Sequence, residues 1–498
     1  MQIEPIGILA ALLGLAILAA GPVAGIYGLA VTALLGAAAA IKLPALGDAS
    51  IMPCHLIIPF FLLAVLRSAE LRRGMLAALT APRAGFWFLA AIGFGAVTAI
   101  FLPRIFAGAT MVYSLTRSGI DVGVVMTPLG PRAGNITQTG YLLGDVACFA
   151  AVAALIARGE ARHVLAALLL AAGLHLVFAL VDLATFATGT GDVLSIIRNA
   201  NYRMLNEGVI GGFKRIVGSF TEAGAYAYVA IGFYAFCLQL WLRGVSTRLT
   251  GGLAAGQALA LLLSTSSAAY AAFGAYNLVA YAGCLRRASA GRGGDWRTNS
   301  YLVGTPVLAV LVVLGLMLIP SVWTMVTGLF DATVSNKMSS QSGVERARWN
   351  LYALQSAVDT FGIGAGVGSV RASSFLVALV ANVGVIGTLL YGAFLAVTVL
   401  SREARAAAGP AEPVMAAAAS ACLATLLAAA VTLGSIDLGL FFVILAALAT
   451  TAPGIRAAHP AGLGLQSVDL AIPTRPGLAP VALTRPGRAR VANGPSPA

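Results

Sequence analysis

Long apolar runs, separated by short polar segments, occupy most of this chain. Each run has about the 20 residues that a helix needs to cross roughly 30 Å of hydrocarbon, and none shows the two-residue alternation of a transmembrane β-barrel. Because the backbone in lipid must satisfy its own hydrogen bonds, the pattern predicts an all-α, polytopic membrane bundle. We predict about thirteen membrane helices, in a range of about 12 to 14, at residues 6–20, 24–41, 51–66, 84–103, 138–157, 163–187, 224–242, 249–266, 268–285, 301–320, 374–400, 414–432 and 435–452.

The composition agrees with a lipid environment. Of the 498 residues, 59% are hydrophobic and only 10% are charged, with a mean hydropathy of +0.91. A soluble protein carries roughly a quarter charged residues. The five cysteines are in or beside apolar runs without paired spacing, so we expect neither disulfides nor a metal site.

We interpret the net charge of +13 as a signal of membrane topology rather than of binding to nucleic acid. In the predicted layout, 19 of the 31 basic residues fall in loops on one side or in the C-terminal tail. The positive-inside rule makes that side cytoplasmic. We therefore predict an N-terminus on the outer side of the membrane and a cytoplasmic C-terminus.

The predicted outer side carries the three long loops, at about 104–137, 188–223 and 321–373. Long loops that are neither charge runs nor low-complexity segments usually carry function. The membrane domain spans residues 1–453. The proline- and arginine-rich segment 454–498 is predicted to be a disordered cytoplasmic tail.

The last of these loops contains a predicted amphipathic helix at residues 344–359. Apolar residues repeat on one face at helical spacing, and a polar face lies beside it. The polar face consists of Glu345, Arg348, Tyr352, Gln355 and Asp359. We expect this helix to lie on the outer membrane surface and to turn its polar face to a site; the alternative is a lid that only caps the bundle.

Arginines mark the candidate chemistry. Arg215, Arg346, Arg348 and Arg371 directly adjoin predicted helix ends on the outer side. The planar guanidinium matches phosphate oxygens, so this arrangement predicts a cationic pocket for a pyrophosphate or an acidic sugar. Solvated loop charges and lipid headgroup anchors are the alternative interpretation.

Two further features concern the same side of the bundle. Asp145 and Asp182 lie inside predicted helices near their outer ends, and such costly carboxylates either pair with arginine or line a wet cavity. A proton relay through them would suit a transporter. The run Gly362–Gly368 lacks the spacing of a nucleotide loop and predicts a flexible turn that permits close backbone approach.

Three segments resemble the O-antigen ligase and O-antigen polymerase superfamily. Residues 211–235, GGFKRIVGSFTEAGAYAYVAIGFYA, resemble its arginine-led entry to a membrane helix. Residues 261–269, LLLSTSSAA, resemble a second junction of that superfamily. Residues 342–391 resemble its signature, in which an arginine-tryptophan helix precedes a glycine turn and a further membrane helix. The resembling core spans about 211–400, roughly 190 of 498 residues.

The resemblance implies a GT-C-type glycosyltransferase of the bacterial inner membrane, without metal or other cofactor. The outer side of the predicted topology, with the N-terminus, would then be periplasmic. Such enzymes take a glycan from undecaprenyl pyrophosphate at the outer membrane face and transfer it with inversion to an acceptor sugar. The implied partners are membrane lipid and the chain-length regulator and flippase of a surface-polysaccharide pathway. The implied catalytic residues are Arg215, Arg346, Arg348 and Arg371, with Glu222 and Glu345; the candidate substrate-binding residues are Arg132, Lys214, Trp349, Tyr352, Asp145 and Asp182.

Departures from the pattern bear on which activity is implied. The ligases carry a histidine in the large outer loop, and residues 321–373 contain none. The arginine of the second junction is replaced by Ser267. Both favour a polymerase over a ligase to lipid A core, and the ligase and the transporter remain the alternatives. The general base is left open among Glu222, Glu345 and Asp359.

Overall fold

The computed structural model describes residues 1–44, 49–118, 121–190, 192–202, 204–206, 208–210, 213–289, 295–331, 339–401 and 411–454. Within these ranges the protein is mostly helical, and each of the thirteen predicted segments contains a helix. Almost all of the predicted tail, residues 455–498, lies outside the described residues.

Sixteen α-helices are described within these ranges. They are α1 Pro5–Ala20, α2 Pro22–Thr32, α3 Pro53–Leu66, α4 Ala69–Ala78, α5 Ala84–Ile105, α6 Ala133–Leu155, α7 Ala161–Thr188, α8 Ala223–Leu242, α9 Thr247–Leu263, α10 Ser267–Arg287, α11 Trp296–Met317, α12 Pro320–Phe330, α13 Gln341–Asp359, α14 Phe375–Val399, α15 Ala411–Thr432 and α16 Gly439–Thr450. The predicted amphipathic helix is α13. Helices α4 and α12 were not predicted.

Six helical stretches in the described part are long and apolar enough to cross a membrane, and a seventh results if α3 and α4, bent by 115°, form one span. The stretch Ala133–Thr188 contains 56 residues, about 84 Å of helix, which far exceeds one bilayer core. It divides into α6 and α7 at Gly159, where φ is +98°. The number of thirteen crossings therefore stays a prediction.

Helix α8 forms the centre of the bundle, and α11 lies at its edge. Within the most apolar 18-residue stretch of each helix, 78% is buried in α8 and 6% is buried in α11. Helix α8 packs most extensively against α15 and α9. A Cβ at Gly232 of α8 would lie 2.9 Å from the hydroxyl of Thr425 in α15, so the absence of a side chain permits this close packing. The exposed valines and leucines of α11 fit a helix that faces lipid.

Short antiparallel strands supplement the helices, which corrects the all-α prediction to a mostly helical one. Strands β1 Gln2–Ile3, β2 Ile41–Leu43 and β3 Ala49–Ile51 form one small sheet. Strands β4 Met111–Ser118 and β5 Asp121–Pro128 form a hairpin, and β6 Val209–Ile210 pairs with β7 Phe213–Lys214. The hairpin lies in the first long outer loop, where a search for helix-length apolar runs does not detect alternating strands.

The glycine-rich segment between α13 and α14 is packed inside the bundle. Gly364, Gly366 and Gly368 have φ values of +97°, +92° and +79°, which side chains rarely adopt. A Cβ at Gly366 would lie 2.8 Å from the ring of Pro103 in α5. The predicted close backbone approach is confirmed, and burial on several sides makes this segment a packed turn rather than a flexible one.

Candidate functional site

Asparagines fix the backbone on both sides of Arg371. Asn382 of α14 donates to the carbonyl of Val370 (2.9 Å) and accepts from the same residue's N–H (3.2 Å). Asn350 of α13 accepts a hydrogen bond from the N–H of Ser373 (2.7 Å). Buried backbone groups need such partners, so two helices hold the main chain that carries Arg371. The sequence analysis did not single out either asparagine.

A third asparagine connects the same turn to α6. Asn135 donates to the carbonyl of Val367 (2.7 Å) and to the hydroxyl of Ser369 (2.8 Å). Its side-chain oxygen accepts from the N–H of Arg132 (2.8 Å), at the start of α6. The glycine turn is thus bonded to α6, α13 and α14 and forms a rigid support for the site.

The side chain of Arg371 rests on an aromatic cluster. Its guanidinium lies 5.5 Å from the ring centre of Trp349, a cation–π contact. The backbone N–H of Arg371 donates to the backbone carbonyl of Tyr113 (2.8 Å). The ring of Tyr113 contacts Tyr352 edge to face at 5.4 Å. Because Tyr113 belongs to β4, the unpredicted hairpin becomes part of the candidate site.

Arg215 interacts electrostatically with three groups from other parts of the chain. Partial burial lowers the pKa of Arg215, as does the nearby cation Arg346, whereas Glu222 and Tyr270 oppose the change. Its guanidinium stays charged, because arginine does not lose its proton in proteins. The Nε of Arg215 is buried and has no hydrogen-bond partner among the described residues. Two neighbouring cations balanced by one carboxylate favour an anionic ligand.

Helix α13 links these two groups of residues. Arg346 and Trp349 are three residues apart and therefore share a face. That face continues into the buried residues Ala353, Ser356 and Ala357. We call Arg215, Glu222, Arg346 and the Arg371–Trp349 pair the arginine site. All three segments that carry the family resemblance contribute to it or border it, since Tyr270 directly follows the second of them.

Helix α13 buries a different face from the one that we expected to turn inward. Arg348 and Glu345 are exposed, and Glu345 accepts a hydrogen bond from Gln341 (3.3 Å). Of the predicted polar face, Tyr352 contacts the aromatic cluster. The structure therefore separates Arg348 and Glu345 from Arg346, and their catalytic roles stay predictions.

Asp182 and Lys214 belong to an internal clamp. Oδ1 of Asp182 accepts from Nη2 of Arg198 (2.8 Å) and lies 3.5 Å from Nζ of Lys214. Oδ2 accepts from the N–H groups of Val217 (2.8 Å) and Gly218 (3.1 Å). The expectation that this carboxylate pairs with an arginine is confirmed. We call Asp182, Arg198 and Lys214 the Asp182 clamp; it holds the backbone that flanks Arg215.

Arg132 connects the hairpin to α6. Its guanidinium donates to the hydroxyls of Ser114 and Thr127 and to the carbonyl of Pro128 (2.8 Å). Burial lowers the pKa of Arg132. Because these donors already have protein partners, Arg132 orients the strand that presents Tyr113, and the predicted contact with substrate stays a prediction.

The structure places Asp145 outside the arginine site. Asp145 lines a cavity of about 180 Å³ together with His55 and Asp437, and it forms no ion pair with any described lysine or arginine. Asp437 was not singled out from the sequence. It falls inside the predicted helix 435–452, so the signal that marked Asp145 and Asp182 was available for Asp437 as well.

The chain matches no protein-family model, no curated protein and no solved structure. The resemblance to the O-antigen ligase and polymerase superfamily therefore depends on the three sequence segments themselves.

Proposed function

We propose that this protein is a surface-polysaccharide polymerase that transfers an undecaprenyl-pyrophosphate-linked glycan to an acceptor sugar at the periplasmic face of the inner membrane. One observation carries the proposal. Arg215 and Arg346, from separate segments that resemble the polymerases, are both partly buried and lie close enough to interact electrostatically, and Glu222 also interacts with Arg215. A site with excess positive charge suits the diphosphate of a lipid-linked sugar.

The reaction uses these groups as follows. The acceptor hydroxyl attacks the anomeric carbon from the face opposite the diphosphate, the bond from that carbon to the phosphate oxygen breaks, and its electron pair leaves with undecaprenyl pyrophosphate. Arg215 and Arg346 stabilise the charge that develops on the leaving group. The hydroxyl proton passes to Glu222, which we choose because it interacts with Arg215, whereas Glu345 is exposed.

The aromatic cluster serves the sugar rather than the diphosphate in this proposal. Trp349, Tyr113 and Tyr352 lie together beside Arg371 and present apolar ring faces with polar edges. Such rings suit the mixed apolar and hydroxylated surface of a sugar. Their attachment to a rigid glycine turn would keep the acceptor oriented toward the arginines.

The proposal includes the finer features of the fold. These are about thirteen crossings, a GT-C-type arrangement, a periplasmic N-terminus and a cytoplasmic C-terminus. The excess of basic residues in one set of loops supports this orientation. In it, every segment that contributes to the arginine site belongs to the periplasmic side or to a helix end on that side.

Reconstitution with a defined donor tests the proposal. Purified protein in detergent, incubated with undecaprenyl-pyrophosphate-linked repeat units, should produce lengthened glycan, and Arg215→Ala or Arg346→Ala should lower the rate about 100- to 1,000-fold. Arg104→Ala is the matched control, because Arg104 is an exposed arginine on the same predicted side. Unchanged elongation in both site variants would contradict the assignment.

Two other activities predict different outcomes. A transporter would leave the glycan length unchanged in detergent, where no membrane separates two compartments. A ligase would join the glycan to another acceptor, and deletion of its gene would cause unattached long polymer to accumulate. For a polymerase, deletion leaves single repeat units on the lipid carrier.

A further inference from the structure

A buried cavity lies between α3, α6, α8, α15 and the start of α16. Its volume is about 180 Å³, enough for several water molecules. Most of its wall is apolar, and the described polar side chains that line it are His55, Asp145, Tyr228, Thr425 and Asp437. No step of the proposed transfer reaction uses this cavity.

Asp145 projects from α6 into this cavity without a cationic partner. Its residue is 2% exposed, and Oδ1 has no hydrogen-bond partner among the described residues. The group that faces it within hydrogen-bonding range is a second carboxylate, Asp437. Neither carboxylate forms an ion pair with a lysine or arginine in the described part of the chain.

Asp437 is held in place by the turn before α16. Its Oδ1 accepts from the N–H of Gly439 (2.7 Å), the first residue of α16. The partial positive charge at the start of a helix stabilises an ionised carboxylate. The hydroxyls of Tyr391 and Tyr228 donate to the carbonyls of Ile436 (3.1 Å) and Leu438 (2.9 Å), on either side of Asp437. The position of Asp437 opposite Asp145 is therefore fixed.

Two adjacent carboxylates in an apolar interior cannot both carry charge without a cation. One bound proton removes one of the two negative charges, and the hydroxyl of the resulting carboxylic acid can donate to the other carboxylate. Among the described residues, the titratable groups that face the pair from the elements packed around it include no lysine or arginine; they are Cys54, His55, Cys148, Tyr228 and Tyr391.

We propose that Asp145 and Asp437 form a proton-binding site inside the membrane domain, in which Asp145 is the carboxylic acid and Asp437 the carboxylate that accepts its hydrogen bond. A proton fits better than a metal ion, because the described residues contain no cluster of three or more histidine, cysteine or acidic side chains that would hold one. This site goes beyond the transfer reaction and does not depend on it.

Carbodiimide labelling and infrared spectroscopy test the site on the full-length protein. A carboxylic acid, but not a carboxylate, adds across dicyclohexylcarbodiimide, so mass spectrometry should find an adduct on Asp145 at neutral pH. Asp182 is the internal control: it is equally buried, at 2% exposure, but forms ion pairs with Arg198 and Lys214 and should stay unlabelled. The infrared band of a carboxylic acid should be present in the wild type and absent in Asp145→Asn.

The neighbouring charge provides a second, quantitative readout. In Asp437→Asn, Asp145 no longer faces an anion and loses its proton more readily. The pH at which its acid band and its labelling disappear should fall by about one unit or more. An unchanged midpoint in a folded Asp437→Asn protein would remove Asp437 from the site.

Other outcomes would overturn the proposal. If neither an acid band nor an adduct assignable to Asp145 is found at neutral pH, the proton lies elsewhere, for example on His55. If NaCl but not choline chloride abolishes both signals, the occupant is a sodium ion rather than a proton. If Asp182 is labelled as readily as Asp145 and the acid band persists in Asp145→Asn, the proton is not bound at Asp145.

Discussion

Lys214 and Arg215 are consecutive residues, yet they belong to regions with opposite arrangements of charge. Lys214 joins Arg198 around Asp182, and Arg198 also pairs with Asp192 (2.7 Å), so these two cations face two carboxylates. Arg215 instead interacts with a second cation, Arg346, and Glu222 is the carboxylate nearby. A buried cation with a matched carboxylate therefore stabilises the fold, whereas a partly buried excess of cations favours an anionic ligand.

We expect the greatest loss of stability when the Asp182 clamp is broken. Asp182→Ala leaves Lys214 buried without its carboxylate and leaves Arg198 with Asp192 alone, and removing one partner of a buried ion pair costs about 3–5 kcal/mol. We expect a markedly lower thermal unfolding midpoint in detergent and less protein in the membrane. Arg346→Ala is the comparator from the arginine site and should unfold within about 0.5 kcal/mol of the wild type. Equal stability of the two variants would erase the distinction between the regions.

A smaller effect should follow when Arg371 loses its aromatic support. Trp349→Leu removes a cation–π contact worth about 0.5–2 kcal/mol. We expect a several-fold fall in kcat/KM for elongation with little change in stability. Trp296→Leu is the matched control, because it removes a similar contact, that of Arg297 at 5.3 Å, away from the arginine site. Equal losses in both variants would mean that Trp349 acts only on folding.

We expect the weakest effect on elongation from substitution of Arg348, which lies on the same helix as Arg346. Arg348 is exposed on α13, on the side away from Arg346. Arg348→Ala should therefore change the elongation rate by no more than about 0.5 kcal/mol, the usual range for surface substitutions. A loss as large as that of Arg346→Ala would restore the sequence-based assignment of Arg348 and would require α13 to rotate when substrate binds.

The helices were largely predictable and the site only partly so. Apolar runs locate helices because lipid imposes the same requirement on every segment, and each predicted run contains one. The hairpin β4–β5 was missed because its alternating pattern is short and amphipathic. The buried face of α13 was missed because its residues Ala353, Ser356 and Ala357 are small and give little hydropathy signal, whereas the larger apolar residues Leu351 and Val358 are 64% and 69% exposed.

The roles of individual residues were also difficult to predict from the sequence. The sequence identified Asp145 and Asp182 alike, as costly carboxylates inside helices. The structure gave Asp182 two cations and gave Asp145 a second carboxylate, Asp437, from a turn almost 300 residues away along the chain. Asn135, Asn350 and Asn382, which hold the glycine turn, have no distinguishing sequence pattern because their partners are backbone groups of a distant segment.

The sequence alone determined that this protein is built from apolar helices and that its glycine turn permits close backbone approach, because hydropathy and backbone sterics act locally. Which charged side chains lie close together depends on the fold of the whole chain. Electrostatic interactions depend on distance and burial, and these depend on how remote segments pack together. Arg215, Arg346 and Glu222 thereby became one site, and Asp145 and Asp437 became another.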